Sequence, residues 1–352
     1  MKKLKLGWVG SGFVGQVAHL VNYVQIPEVE IVGLAELRPR LGRDVCQKYN
    51  IKEQYDNHIS LIENCELDAV VAIVRREHTA SIAMDILEHG LPVFTEKPMA
   101  PTLEQGQRLV AVAAEKSLAY VTGFMRRHDQ GVQLAKKTLD EVCVSGELGK
   151  VLYFRSYCFG GGDYCNIDGE IKTEEPAPRH RLAPIAPDWL PKELEKEYES
   201  FLNVFVHDIN LIRYLIGCTP SVEYVDYRGA SGSVILDCIK CPGVFEFAHL
   251  DTNKYWEEGI EIIFEKGRIR IELPPAFLRN QSAIVGIYIE KSDGTMEHKN
   301  LQAGWSWAFQ RQADRFVDSV LSGSINSASG QHSLDDLRVI ESIWKKIVGT
   351  SQ

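Results

Sequence analysis

Leu6-Gly7-Trp8-Val9-Gly10-Ser11-Gly12-Phe13-Val14-Gly15 is the stretch on which the fold turns. A short apolar run leads into a G-x-G-x-x-G turn, and a helical pattern opens directly behind it. Strand, glycine turn and helix in that order suit the pyrophosphate of a dinucleotide. The glycines permit a tight turn and close backbone approach, and the helix N-terminus offers free N–H groups and the positive end of its dipole. A second apolar run, Val29 to Ala35, ends at Glu36, roughly 20 residues past the last glycine, where the fingerprint wants an acceptor for a ribose hydroxyl. The reading is a nicotinamide site held by Gly10, Gly12, Phe13, Val14, Gly15 and Glu36. On the motif alone an ordinary strand–helix turn stays open. Glu36 favours NAD, because a carboxylate accepts from a 2′-hydroxyl and repels a 2′-phosphate; Arg38, two residues on, keeps NADP as the lesser option.

Outward from this turn, apolar runs alternate with helical segments through residue 123. Ala69–Val74, Pro92–Thr95 and Ala119–Gly123 are continuous rather than alternating, as in strands covered on both faces. Thr79 to His89 reads as a helix stopped by Gly90, and Thr102-Leu103-Glu104-Gln105 as a capping box opening a helix to about Lys116. Residues 1–123 are therefore expected to form a doubly wound α/β domain with a parallel sheet. Beyond Lys150 come strand-like runs over 151–159, 221–227, 233–239, 244–250, 259–273 and 283–290. They are punctuated by Cys241-Pro242-Gly243, Lys266-Gly267 and Asp293-Gly294, which implies a mostly antiparallel sheet. The proline-rich stretch from Glu175 to Pro191 reads as an irregular loop near the domain junction, and two helices, about 306–321 and 333–348, close the chain. The second domain is expected to run from 124 to 352.

The 352 residues suffice for two domains, and 45% hydrophobic with 25% charged residues is a globular balance. A net charge of −9 speaks against a general nucleic-acid binder. No apolar run approaches membrane-spanning length, and Met1-Lys2-Lys3 leads straight into a strand, so neither signal nor anchor is expected and the setting is read as cytoplasmic. Of eight cysteines only Cys238 and Cys241 are closely spaced, with no histidine nearby to complete a zinc set. Reduced thiols and no metal are the expectation.

Two constellations carry chemistry. Thr95-Glu96-Lys97-Pro98 sits at the carboxyl end of the fourth strand read from the sequence, and in open parallel sheets ligands bind outside the carboxyl ends of strands. An ammonium there can stabilise an alkoxide during hydride transfer; a solvated lysine at a strand end is the competing reading. In Phe201 to Gly217, Asn203, His207 and Asn210 share one face of a helix that is otherwise largely apolar. A polar stripe on such a helix needs partners, either protein groups or a polar ligand. His207 is the natural general base, because the unperturbed pKa of a histidine lies near neutrality.

These segments occur together with Gly123-Phe124-Met125-Arg126-Arg127, Gly146-Glu147-Leu148-Gly149-Lys150 and His207-Asp208-Ile209-Asn210 in one order and spacing. In this the chain resembles the glucose–fructose oxidoreductase, inositol dehydrogenase and rhizopine-catabolism (Gfo/Idh/MocA) family, from about residue 4 to 349, most weakly between Gly160 and Pro191. The resemblance implies a Rossmann domain followed by an α/β domain whose large open sheet often mediates oligomerisation, as dimer or tetramer. It implies that Lys97 lies by the nicotinamide and the reacting hydroxyl, and that His207 is the acid/base. Met125 and Arg126 would line the junction of cofactor and substrate, and Asn210 would meet sugar hydroxyls. Arg75, His78 and Glu96 join the cofactor-binding set, and Asn203 the substrate set.

Departures from the pattern bear on the chemistry. Asn203 stands where polyol dehydrogenases of the family usually carry aspartate; an amide cannot take a proton or raise the basicity of His207 by charge. Asn210 replaces a common aspartate too. Arg75-Arg76 stand where many relatives have other residues, facing cofactor, acidic substrate or only solvent. The leading expectation is an NAD(P)-dependent oxidoreductase acting on a sugar, polyol or sugar acid. Two others are a glycoside lyase or hydrolase that oxidises transiently with tightly held NAD, and a non-catalytic dinucleotide-binding regulator. Trp189, Tyr164, Arg155 and Trp256 are candidates for pocket walls or plain packing residues.

Overall fold

Two sheets organise the chain, and the computed structural model describes residues 3–161, 167–177, 184–252, 255–324 and 328–350. Residues Met1–Gly123, Ile167–Trp189 and Phe309–Leu337 form one compact unit, and the remainder forms another. The sequence reading, by contrast, runs its second domain unbroken from 124 to 352.

In the first unit the strands are β1 (Leu4–Val9), β2 (Val29–Ala35), β3 (Glu53–Tyr55), β4 (Ala69–Ala72), β5 (Val93–Glu96) and β6 (Tyr120–Gly123). They pair in parallel in the order β3-β2-β1-β4-β5-β6. This is a doubly wound sheet, with its topological switch between β1 and β4. The continuous apolar runs behave as expected: all four residues of β4 are buried. Helix α1 starts behind the glycine turn and is wound with π spacing over Gly15–Leu20 before Val21–Tyr23. It is followed by α2 (Pro39–Tyr49), α3 (His58–Asn64), α4 (Arg76–Glu88) and α5 (Leu103–Glu115). The core joins Leu6, Trp8, Tyr23 and Phe94 to Ala313, Phe316 and Val317 from far along the chain. Each such large apolar side chain contributes roughly 1.5–3 kcal/mol on burial.

Thr102 caps α5, its hydroxyl accepting from Gln105 N at 3.2 Å. The capping box is only half made, because the Gln105 side chain donates to Pro184 O at 2.9 Å instead of returning to Thr102. The short edge strand β3, which was not expected, has only three residues and no apolar alternation.

In the second unit, after α6 (Gln130–Ser145), come β7 (Val151–Gly160), α7 (Glu195–Ile216), β8 (Ser221–Tyr227), β9 (Ser231–Cys238), β10 (Cys241–His249), β11 (Trp256–Phe264), β12 (Gly267–Leu273), β13 (Ile284–Glu290) and β14 (Met296–Gln302). The sheet order is β14-β13-β12-β11-β7-β10-β9-β8, antiparallel except for the central β7–β10 pair. The expected run 259–273 is a hairpin that turns at Glu265-Lys266, and β14 is an addition whose polar sequence hid it. Helices α8 (Ala308–Ser322) and α9 (Ala328–Thr350) close the chain. Phe201, Phe205, Phe245, Phe247 and Trp344 build an aromatic core beneath α7. Gly217, left-handed at φ 78°, ends that helix as its glycine promises.

One expectation fails. Cys218, just past α7, and Cys238, at the end of β9, form a disulfide, so the thiols are not all reduced. The two lie 20 residues apart in no motif, and only strand pairing brings them together.

Candidate active site

The glycine turn forms one wall of a cavity of about 520 Å³ in the first unit. Gly10 has φ 86°, and a Cβ there would stand 2.3 Å from Ile73 O, so the position admits glycine only. The Trp8 indole donates to Gly10 O at 2.9 Å and fixes the turn from beneath. Gly15 is similarly confined, with Gly10 O 3.1 Å from where its Cβ would be. Gly12 differs: nothing lies within 4 Å of its added Cβ. The protein itself makes no demand for glycine at 12, and the open space it keeps is on the cavity side, which fits a pyrophosphate laid against the backbone.

Glu36, 5% exposed, ends β2 at the cavity wall. Its carboxylate accepts from Ser11 N at 2.9 Å, Ser11 Oγ at 2.7 Å and Arg38 Nε at 2.7 Å. Burial alone would raise its pKa, but these bonds and the guanidinium charge hold it below the usual carboxylate value. Phe13, Val14, Arg38, Arg75 and His78 also line the cavity. The sequence reading missed Ser11, Asp56–His58 and Ala177 there. Asn57 carries a local sign, since it caps α3 by accepting from Ser60 N at 2.9 Å; Ala177 carries none.

Lys97 follows β5 and is half-buried, with its N–H donating to Glu96 Oε2 at 3.1 Å. Burial, with the charge of Arg76, lowers its ammonium to about 8 against the opposing pull of Glu96. Glu96 Oε1 lies 2.7 Å from Nε2 of His19, a fully buried ring that no motif singled out. It is packed edge-on against Phe309, 5.3 Å between ring centres. His19 thereby fixes the carboxylate next to Lys97.

In the second unit α7 presents Asn203 and His207 half-buried, while Asn210 is 1% exposed. The His207 ring meets Phe124 edge-on at 6.2 Å. Asn210 accepts from Arg127 Nε at 2.7 Å, and that guanidinium lies 5.1 Å over the Tyr214 ring. Met125 and Arg126 sit in the short turn Met125–His128 and both are buried. Arg126 donates to Pro274 O at 2.7 Å and pairs with the Glu258 carboxylate, which also accepts from Trp256 Nε1 at 2.8 Å. Burial and the Glu258 charge push the neighbouring Asp208 well above the usual carboxylate range. Arg126 is thus an interior ion-pair residue of this unit. Arg155 is exposed on the sheet and pairs with Glu246 at 2.6 Å, and Tyr164 lies outside the described residues. Among the described residues no three His, Cys, Asp or Glu side chains are placed to hold a metal ion, and no helix is long and apolar enough to cross a membrane.

Residues 4–124 match the model of an oxidoreductase family, GFO_IDH_MocA, with an NAD-binding Rossmann fold. The chain is 31% identical over 344 residues to inositol 2-dehydrogenase of Burkholderia vietnamiensis, covering 93% of this chain and 88% of that one. Solved structures share the fold at low identity. The dehydrogenase MviM of Clostridium difficile superposes with a TM-score of 0.70 at 18% identity, over 99% of this chain and 100% of that one. KijD10, a 3-ketoreductase of Actinomadura kijaniata solved with NADP and TDP-benzene, gives 0.73 at 18%, over 98% of each. Glycine cradle, doubly wound sheet and full-length likeness together make this chain a member of the Gfo/Idh/MocA oxidoreductase family, a dehydrogenase acting on CH–OH groups.

Proposed function

We propose that the protein oxidises one hydroxyl of a sugar, polyol or sugar acid with NAD, using Lys97 and His207. The observation that carries this reading is the placement of Lys97, half-buried at the end of β5 beside a Glu96 carboxylate that His19 fixes; burial also lowers its ammonium to about 8. A lysine tuned to that range is mostly charged at neutral pH yet able to exchange its proton. Gly10, Gly12 and Gly15 would hold the pyrophosphate and Glu36 a ribose hydroxyl. A nicotinamide held there would supply the acceptor for the hydride of the carbinol carbon. His207 takes the proton of the hydroxyl, and Lys97 stabilises the negative charge that develops on that oxygen as it becomes a carbonyl. Asn203, one helical turn before His207, offers a neutral amide to the substrate.

A polyol substrate is supported by the likeness to an inositol 2-dehydrogenase. The open face of the eight-stranded sheet, with Tyr224 and Ile235 exposed, supports self-association through that face.

Replacing Lys97 with methionine is expected to lower kcat by about 10²–10⁴-fold while NADH still binds. In the unsubstituted enzyme, activity should fall as pH rises through about 8, because the protonated ammonium is the working form. Steady-state rates across pH check both statements. A Lys97→Met enzyme with undiminished turnover sinks the assignment.

A further inference from the structure

Residues 167–177 belong to the first unit although they come more than forty positions after its last strand. Gln16 and Ile171 are tied in both directions: Gln16 Nε2 donates to Ile171 O at 3.1 Å, and Ile171 N to Gln16 Oε1 at 2.7 Å. Lys48 Nζ donates to Gly169 O at 2.5 Å, and Ala177 reaches the cavity wall. Between these points Glu175 lays its carboxylate on the N-terminus of α2. It accepts from Arg40 N at 3.1 Å, Leu41 N at 2.9 Å and Thr173 Oγ1 at 3.2 Å, with Arg40 Nε at 3.5 Å. Pro39 has no N–H, and Gly42 N already bonds Arg38 O at 2.9 Å, so Glu175 takes the remaining donors of that first turn. Burial opposes its ionisation, but the two amides, Thr173 and Arg40 hold it below the ordinary carboxylate value.

We propose that Glu175 is a cofactor-selectivity residue, an anion supplied by the chain itself that fills the α2 N-terminus and turns the site against a 2′-phosphorylated ribose. The proposal rests on the reading of the cavity as a dinucleotide site. A 2′-phosphate needs positive charge at the turn between β2 and α2. That turn has two sources, the Arg38 guanidinium and the α2 amides with Arg40. Glu36 engages the first at 2.7 Å and Glu175 the second. A phosphate must displace one of these carboxylates or sit beside both, and a 2′-hydroxyl brings no charge and asks for neither.

The test is equilibrium binding of NADH and NADPH, followed by nicotinamide fluorescence, to the unsubstituted protein and to Glu175→Ala, Glu175→Gln and Lys48→Met. The unsubstituted chain should bind NADH more tightly. Glu175→Ala should lower the ratio of NADPH to NADH dissociation constants by about tenfold, the scale of one charge-assisted hydrogen bond. Glu175→Gln, which keeps an acceptor and removes the charge, should move the ratio in the same direction. Lys48→Met loosens the same segment at Gly169, away from the α2 N-terminus, and should leave the ratio in place. A ratio unmoved by both Glu175 variants, one moved equally by Lys48→Met, or tighter NADPH binding at the outset overturns the proposal. Failure to bind either dinucleotide overturns the reading beneath it as well.

Discussion

At the scale of single residues, the face of α7 shows how one atom's identity sets the chemistry. Asn203 lies one turn from His207 on the same helix, and its amide is neutral where a carboxylate would carry a charge. Asn203→Asp should raise the basicity of His207 and move the acidic limb of kcat/KM upward in pH, which a pH–rate profile reads directly. An unmoved limb would mean that another group is the base. The candidate residues were legible to different degrees. Lys97 and His207 stood out because lysine and histidine on apolar background are conspicuous. His19 did not, since a buried histidine acting through Glu96 leaves no spacing to recognise. Arg126 was visible as a residue but not as an environment: its partner Glu258 is 132 residues away.

At the scale of elements, the glycine turn separates what the fold needs from what the ligand needs. Gly10 is demanded by backbone sterics, whereas Gly12 faces open space. Gly12→Ala should therefore leave the melting temperature nearly unchanged and abolish tight NADH binding. Thermal unfolding and a fluorescence titration on one sample decide it; a large loss of stability with binding intact would reverse the assignment. The same turn made β1 and α1 readable, because strand, glycines and helix are adjacent in sequence. The continuous apolar runs of the parallel sheet were readable for a like reason, both faces being covered. β3 and β14 were not, as an edge strand buries too little to impose a pattern. The capping box at Thr102 looked complete, but Gln105 turns to a loop distant in the chain.

At the scale of the whole molecule, sequence order and packing part company. Residues 167–189 and 309–337 return to the first unit; the prolines of 175–191 mark a loop without saying where it packs, and no composition shift announces the second return. The Cys218–Cys238 link likewise depends on strand pairing. Closing a 20-residue separation, it should stabilise the chain by about 3 kcal/mol, so Cys218→Ser should lower the unfolding midpoint under non-reducing conditions. An identical midpoint with and without reductant would show that the link contributes nothing to folding. The central claim is hydride transfer from a polyhydroxylated substrate. It is tested most directly by mixing the protein rapidly with NAD and a panel of inositols, free sugars, sugar acids and glycosides while following nicotinamide absorbance. The account predicts NADH that forms and persists with an inositol, a sugar or a sugar acid. NADH that rises and decays as a glycoside is cleaved, or no NADH with any compound, would contradict it.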